Sequence, residues 1–510
     1  MTKEKKKSKW KAIAGAILVL QLLISAAALG IVIWLNILPV TYVILIGLVL
    51  VWLLTFVYYF FYSGVKKKEK KKTKVYIKRS VGCTVSAIVI VLCIVASSAL
   101  VKVGDTLRDV ASNVIVTDTV SAYVLAENPA QTVVDAKDYV FGITEKYDYE
   151  HTQKAIEQIN ETAGTTIRTL AYDNVLELVK ALYSGSVDAI ILNAAYIDVI
   201  EAQDGYETFS KKTRTLFDHE IESVVAEGSQ TTQKDITKDP FVVYISGSDT
   251  RNFKLATSRS DVNILVVVNP QTKQVLLINT PRDYYVETSV SNGQKDKLTH
   301  CGIYGIDCSM ATLGNLYDEP VDYYAQINFS GFETLVDAIG GITVESEKAF
   351  RTSEGGYYIS QGTNQLNGTV ALSYVRERKA FADGDNSRGR HQMQVIEAII
   401  SKVSSGTTIL SNYSGILDSM SGMFSTSMSS GEISSLVKMQ LSDMASWNVK
   451  SFAVSGTGSS QPTYSMPSKR SYVMIPDETQ IEYAKLLVNK VVDGMTLTDA
   501  DMEMPQYSAQ

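Results

Sequence analysis

Histidine and cysteine are scarce, four of each among 510 residues, and they do not cluster. No HExxH, no CxxC and no zinc-finger spacing occurs, which excludes the common His/Cys metal centres and a disulfide-dense scaffold. A GxxxxGKS/T phosphate loop and a GxSxG nucleophile turn are also missing, which argues against an ATP-driven enzyme and a serine hydrolase. Charge is absent in three places. Residues 12–35, 40–62 and 81–101 contain no Asp, Glu, Lys or Arg. Each run has the ~20 apolar residues that cross a bilayer core. The first is too long for a cleaved signal peptide, and a second run follows it at once.

What charge there is lies apart by sign. Residues 1–80 carry 15 Lys/Arg against 2 Asp/Glu, whereas residues 102–510 carry 33 against 52, a net of −19. An acidic main body repels phosphate backbones, so no nucleic-acid partner is expected. The basic residues stand before the first run (Lys3 to Lys11) and between the second and third (66–79). Both clusters are expected on the cytoplasmic side, with 36–39 as an uncharged outer turn. The sequence thus predicts a multi-pass protein of the cell membrane with a cytoplasmic N-terminus. Its membrane region is 1–103, and everything after it is extracellular. Trp10, Trp34, Tyr58, Tyr59 and Tyr62 suit interfacial anchoring. Cys83 and Cys93 fall in the third span as inert apolar residues. Cys301 and Cys308 lie where a disulfide is permitted, and are either a bridge or two buried thiols.

Two extracellular segments follow. Residues 104–235 are expected to form an accessory α/β domain for positioning or partner contact. It would have strands at 122–125, 139–143 and 187–192, and helices at 152–163 and 174–183. Residues 231–239 are polar and read as a linker. Residues 240–510 are expected to form a second α/β domain, a mixed central sheet flanked by helices. Its expected strands are 241–245, 263–269, 274–279, 342–345 and 374–378. A helix 331–339 would be capped by Ser330, and 388–402 reads as an amphipathic helix. Residues 401–430 are expected as peripheral helices and loops, and 499–510 as a frayed acidic tail.

The chemistry concentrates in the second domain. Asp249, Arg259 and Asp261 form one group, and Arg282 with Lys297 a second. Arg376, Arg378, Asp383, Asp385, Arg388, Arg390 and Gln392 form a third. In a strand 374–378, residues 376 and 378 share a face. Two guanidiniums on one face repel unless an anion lies between them, and each can make paired bonds to phosphate. Carboxylates cannot bind that anion directly, but they can hold a divalent cation that bridges to it. Arginine for phosphate and aspartate for magnesium together suggest a pyrophosphate substrate. Surface salt bridges are the ordinary fate of such residues taken singly; the conjunction beside a membrane favours function.

Eight motifs occur in order: Gly247-Ser248-Asp249-Thr250-Arg251, Arg259-Ser260-Asp261, Pro281-Arg282-Asp283, Asp296-Lys297-Leu298-Thr299-His300, Asn328-Phe329-Ser330-Gly331-Phe332, Val336-Asp337-Ala338-Ile339-Gly340-Gly341, Tyr374-Val375-Arg376-Glu377-Arg378, and the run from Asp385 to Gln392. Over about 240–400 they resemble the LytR-CpsA-Psr family, and the three spans with an accessory domain resemble its capsule-locus branch. The resemblance implies an enzyme that transfers a polyprenyl-pyrophosphate-linked glycopolymer, here capsular polysaccharide, to peptidoglycan through a phosphodiester. It implies magnesium, or manganese in its place, organised by Asp249, Asp261 and Asp385. Arg259, Arg282, Lys297, Arg376, Arg378, Arg388 and Gln392 would hold the pyrophosphate. Asp249, Asp261, Arg282, Arg376, Arg378 and Asp385 would form the catalytic set. Membrane lipid and capsule assembly proteins are the further partners implied. One departure stands out. Many members have Arg-Gln-Gln where this chain has Arg390-His391-Gln392, which leaves the roles of Arg390 and His391 open. The alternatives are a pyrophosphatase that sends the same intermediate to water, and a non-catalytic scaffold or regulator of capsule assembly.

Overall fold

The computed structural model describes residues 3–62, 72–111, 114–225, 234–248, 257–382, 384–405 and 423–504, which form two compact bodies. The first body holds the apolar helices α1 (Lys3–Leu35), α2 (Val40–Tyr62) and α3 (Lys72–Ala111). All three are long and apolar enough to cross a membrane. Only a narrow stripe of each is buried. Ala14, Gln21, Ser25 and Ala28 line α1, Val57 and Phe61 line α2, and Ser86, Val89 and Cys93 line α3. Seven-residue spacing and small side chains put these stripes in contact, as expected for helices that associate by close packing rather than by a hydrophobic effect. Asn36 ends α1 in the left-handed region at φ 52°. Its side-chain oxygen accepts from Lys438 Nζ at 2.8 Å. Lys438 belongs to a helix at Ser430–Asp443 that packs with this body.

The second body contains two sheets. In the first, β1 (Val114–Leu125) pairs antiparallel with β4 (Ala189–Asn193) and with β5 (Thr213–Val225). Strands β2 (Val140–Thr144) and β3 (Arg168–Tyr172) run parallel to each other and β2 to β4, giving the order β3-β2-β4-β1-β5. The helices α4 (Tyr149–Ala163) and α5 (Val175–Ser184) link β2 to β3 and β3 to β4. Side chains alternate across the sheet. Val120, Ala122 and Ile191 meet Ala155 and Ile159 of α4, while Tyr123, Ile190 and Leu192 meet Leu178, Val179 and Leu182 of α5. Asn174 starts α5 by accepting from Glu177 N at 3.0 Å. After β4 come the short helices α6 (Ile197–Glu201) and α7 (Phe209–Lys212).

The second sheet begins with β6 (Phe241–Ser248), β7 (Val262–Asn269) and β8 (Gln274–Asn279), which pair antiparallel. A two-stranded ribbon of β9 (Tyr285–Glu287) and β10 (Lys295–Lys297) leads through a tight turn, Leu298–Tyr304, into α8 (Ile306–Tyr317). Then β11 (Tyr323–Asn328) joins parallel to β6. The helix α9 (Phe329–Ala338) is followed by β12 (Ile342–Ser346), β13 (Phe350–Arg351), β14 (Tyr358–Ile359) and β15 (Gly362–Leu366), paired as two small ribbons. Helices α10 (Gly368–Arg376) and α11 (Asp385–Ser404) come next. The edges are β16 (Phe424–Thr426), antiparallel to β11, and β17 (Asn448–Ala453), parallel to β8. The order is β16-β11-β6-β7-β8-β17, a mixed sheet. One face, with Val242, Tyr244, Leu265, Val267, Leu276 and Ile278, buries against α8 and the helix Glu478–Val492. Cys301 and Cys308 sit in that core as free thiols, so no bridge joins them.

Several expectations are corrected. Residues 374–378 are not a strand: Asn367 Oδ1 accepts from Val370 N at 3.0 Å and nucleates a helix through Arg376. The cap lies seven residues before Tyr374, so the segment 374–378 alone carries no helix signal. Asn328, not Ser330, caps α9, accepting from Gly331 N at 2.9 Å. Asparagine's short side chain is at least as good a cap as serine, and the extended backbone at Asn328 ends β11. Phe424–Thr426 is a strand of the central sheet, although 401–430 was expected to be peripheral; 406–422 lie outside the described residues. The tail is ordered as far as Met504. Thr498 and Asp501 form a capping box, Lys490 holds Asp501 at 2.6 Å, and residues 505–510 are outside the described ones. Of the expected linker, 234–239 form a turn in which Lys234 Nζ reaches the buried Asp322 at 2.7 Å.

Candidate active site

The carboxyl ends of β6, β8 and β11 lie at one sheet edge, together with the start of the antiparallel β7. Loops at such an edge are where α/β sheets commonly place ligands. Here they enclose a cavity of about 280 Å³. Gly247 lines it from the end of β6, Arg259, Asp261 and Val262 from the approach to β7, and Arg282 from just past β8. Phe329 opens α9, while Val375, Arg376 and Arg378 come from the end of α10. Arg388 and Gln392 complete the wall; they are four apart and so share one face of α11. That helix can approach because residue 389 is glycine. A Cβ there would stand 2.2 Å from the Asn279 amide at the end of β8.

Five arginines therefore face one small space. Helix termination explains how Arg376 and Arg378 both reach it. Arg376 is the last helical residue, and Glu377 turns extended at φ −69°, ψ 129°, which redirects the chain. Glu377 is itself tied down by bonds from the Ser353 backbone and hydroxyl and from Ala380 N. The Arg376 guanidinium lies 4.4 Å from the centre of the Phe329 ring, an arrangement in which a flat cation stacks on an aromatic face.

Carboxylates temper this charge. Arg282 Nη1 meets Asp261 Oδ1 at 2.9 Å, Arg259 Nη2 meets Asp198 Oδ2 at 3.2 Å, and Arg376 pairs with Glu354. Burial raises the Asp261 pKa, but the nearby Arg282, Arg388 and Arg259 charges and the Arg282 hydrogen bond outweigh it, so the net shift is downward. Asp261 is an ionised carboxylate in a pocket of cations. Lys297 is displaced from this group: its Nζ pairs with Asp283 Oδ1 at 3.1 Å, and it does not line the cavity. Asp249 and Asp383 fall outside the described residues. Asp385 opens α11, and its side chain is likewise outside them.

The open position at 390–391 now has an answer. His391 is buried among aromatic rings, 4.2 Å from the Tyr374 centroid and 4.8 Å from that of Phe381, so it packs the helix rather than touching the pocket. Arg390 turns to Glu347 at 3.4 Å.

A buried Asp296–His300–Ser465 cluster resembles a nucleophilic triad in composition. Its geometry is different. Asp296 Oδ1 and Ser465 Oγ both meet the same ring nitrogen of His300, Nδ1, at 2.7 and 2.8 Å. A relay needs them on opposite nitrogens. Asp296 is fully buried and also accepts from the Lys297 and Ser465 backbones at 2.7 and 2.8 Å. Burial raises its pKa, and the His300 charge with these hydrogen bonds lowers it further than that. The cluster is a lock on the turn 298–304. That turn supports the pocket: Thr299 N donates to the Arg282 carbonyl at 2.8 Å, and the Thr299 carbonyl accepts from Ser260 N at 3.1 Å. Ser260 is held in turn by Tyr244 and Ser246, each at 2.8 Å.

Gly302 closes this support. A Cβ on it would stand 2.4 Å from the Ser258 carbonyl oxygen and 2.7 Å from Ser260 N, both backbone atoms that cannot swing aside. Gly302→Ala is expected to destabilise by about 1–3 kcal/mol, as overpacked sites do. It should also shift Arg259, so thermal unfolding and anion binding should both respond.

Sequence reasoning missed Asp198, Glu354 and Phe329 as pocket neighbours. Phe329 stands inside a quoted motif and could have been found there. Glu354 sits in a Gly-rich turn and Asp198 just past β4 of the other sheet, and nothing in the local sequence of either points to the pocket.

The family model LytR_cpsA_psr matches residues 204–482, and the chain belongs to that family. Over 165 residues it is 41% identical to the polyisoprenyl-teichoic acid–peptidoglycan teichoic acid transferase TagU of Bacillus licheniformis, covering 32% of this chain and 52% of the relative. The TagU of Enterococcus faecalis is 36% identical over 223 residues, covering 43% of this chain and 72% of the relative. The chain thus spans between about half and three quarters of the length of these relatives. A crystal structure of Bacillus subtilis TagV, 27% identical, covers 51% of this chain and 99% of its own, with a TM-score of 0.43.

Proposed function

We propose that this protein transfers a glycopolymer from a polyprenyl pyrophosphate carrier to peptidoglycan, forming a phosphodiester, at the outer face of the cell membrane. The observation that carries this reading is the convergence of Arg259, Arg282, Arg376, Arg378 and Arg388 on one cavity that also holds an ionised aspartate. Relatives named as teichoic acid–peptidoglycan transferases support the reaction class. The basic clusters before the first apolar run and between the second and third support the outward placement of the second body.

The residues perform recognisable tasks. Arginine forks bind the equatorial phosphate oxygens in pairs and neutralise charge that grows on the leaving phosphate. The Phe329 ring, 4.4 Å from the Arg376 guanidinium, helps to hold that side chain in place. Asp261 fits a divalent cation: a carboxylate facing a phosphate needs a cation between them, and this one is ionised. Asp261, with Asp249 and Asp385 by resemblance to the family, would hold magnesium or manganese. The ion would screen the pyrophosphate and polarise its bridging bond. A lowered pKa suits Asp261 to that task and not to removing the proton of the sugar hydroxyl, since a general base works best near the ambient pH.

Capsular polysaccharide is the proposed cargo, because three apolar helices and an accessory sheet precede the pocket domain as in the family's capsule-locus branch. Teichoic acid is the second reading, favoured by the relatives' names. Detergent-purified full chain, incubated with each lipid-linked polymer, magnesium and peptidoglycan, is expected to yield polymer bound to peptidoglycan through a phosphodiester. Product released only into water would replace the transferase by a pyrophosphatase. No turnover of either lipid would favour a scaffold in capsule assembly.

A further inference from the structure

The accessory sheet is joined to the pocket domain through buried side chains, and the junction ends at the anion site. Tyr196, Val199 and Ile200, just after β4, share one apolar cluster with Ile303 and Met466. Tyr147 Oη donates to the Tyr464 carbonyl at 2.9 Å, and Gln203 and Ser471 exchange buried bonds at 3.1 and 3.2 Å. Residue 198 therefore rides on a backbone that is anchored on both sides. The turn 298–304 is the hub. Leu298 and Cys301 belong to the core under the central sheet, Ile303 belongs to the accessory cluster, and Gly302 between them lies against Ser258–Ser260. Arg259 is thus held from below by a turn clamped between two cores, and met from the side by a carboxylate of the accessory domain.

That carboxylate holds its guanidinium weakly. Asp198 is half exposed and, among the described residues, its carboxylate makes a single contact at 3.2 Å. Among the described residues, Arg259 Nε is buried without a hydrogen-bond partner, so the guanidinium has donor capacity left. Exposed pairs of this kind contribute little, and a multiply charged anion in the cavity competes for the same cation.

We propose that Asp198 is a counter-ion gate supplied by the accessory domain: it occupies the outer edge of Arg259 in the ligand-free protein and yields it when a pyrophosphate enters. The accessory domain thereby sets the anion affinity of a pocket that lies in its neighbour. The proposal rests on the pyrophosphate reading of the pocket.

The test is calorimetric binding of farnesyl pyrophosphate, with magnesium, to detergent-purified full chain. Asp198→Asn keeps the shape and removes the charge. It is expected to lower the Kd about two- to fivefold, the reach of an exposed ion pair. Asp198→Glu restores the charge and is expected to bind like wild type. In an Arg259→Gln background, Asp198→Asn is expected to change nothing. An unchanged or raised Kd for Asp198→Asn overturns the gate while leaving the pocket reading intact. So does a gain that persists without Arg259. If wild type binds no farnesyl pyrophosphate, the pocket reading fails and the gate falls with it.

Discussion

Arg376→Ala is expected to lower the rate of polymer transfer by about 10²–10³, the loss seen when a preorganised donor to developing charge is removed. Its position makes it a clean probe. The side chain is fixed by the Phe329 ring beneath it and by the end of α10, and its partner Glu354 is half exposed. Little folding energy depends on that pair, so the thermal midpoint should barely move. Arg376→Lys keeps the charge and loses the flat fork, and it should recover only part of the rate. A transfer assay with purified chain, read beside a melting curve, checks this. Wild-type turnover in Arg376→Ala would remove the pocket from the reaction.

The second large effect lies outside the pocket. Asp296→Ala is expected to destabilise the protein by about 1–3 kcal/mol for each buried donor left unsatisfied. Asp296 is fully buried and serves His300, Ser465 and two backbone amides at once. Its removal leaves the imidazole and those donors unsatisfied. The pH dependence has a definite sign. The folded-state pKa of Asp296 lies below the ordinary carboxylate value. Its contribution is therefore complete above about pH 4, near the unfolded value, and is lost as pH falls through the folded one. Urea midpoints of wild type and Asp296→Ala should differ most at neutral pH and converge in acid. A constant gap would mean that the carboxylate's charge is not what holds the turn. Because the turn 298–304 supports Arg259 and Arg282, anion affinity should weaken along with stability in Asp296→Ala.

Much of the architecture could be read along the chain. Uncharged runs identified the three long helices, since a bilayer-length apolar stretch has few other uses. Short continuous apolar runs located β6, β7 and β8 to within a few residues. Signals of longer range were harder. The strand Thr213–Val225 pairs along all of β1, but its alternating Asp218, Glu220 and Glu222 leave no apolar run to mark it. Phe424–Thr426 is only three residues long, and its place is decided by the free edge of β11. The helix ending at Arg376 is started by a cap at Asn367, outside the window that the arginines drew attention to.

The site divides in the same way. The sequence by itself determined which residue types were available: arginines and aspartates in short ordered motifs, after three apolar runs, with no GxSxG turn or GxxxxGKS/T loop. It could do so because side-chain chemistry and local spacing are properties of the chain. Only the tertiary structure decided which of those residues meet. Arg259, Arg282, Arg376, Arg378 and Arg388 share a cavity because antiparallel and parallel pairing bring the ends of β6, β8 and β11 to one edge. Lys297 turns away to Asp283, His391 goes into an aromatic core, and Asp198 arrives from 61 residues before Arg259. Such pairings are set by packing between distant segments, and no local pattern encodes them.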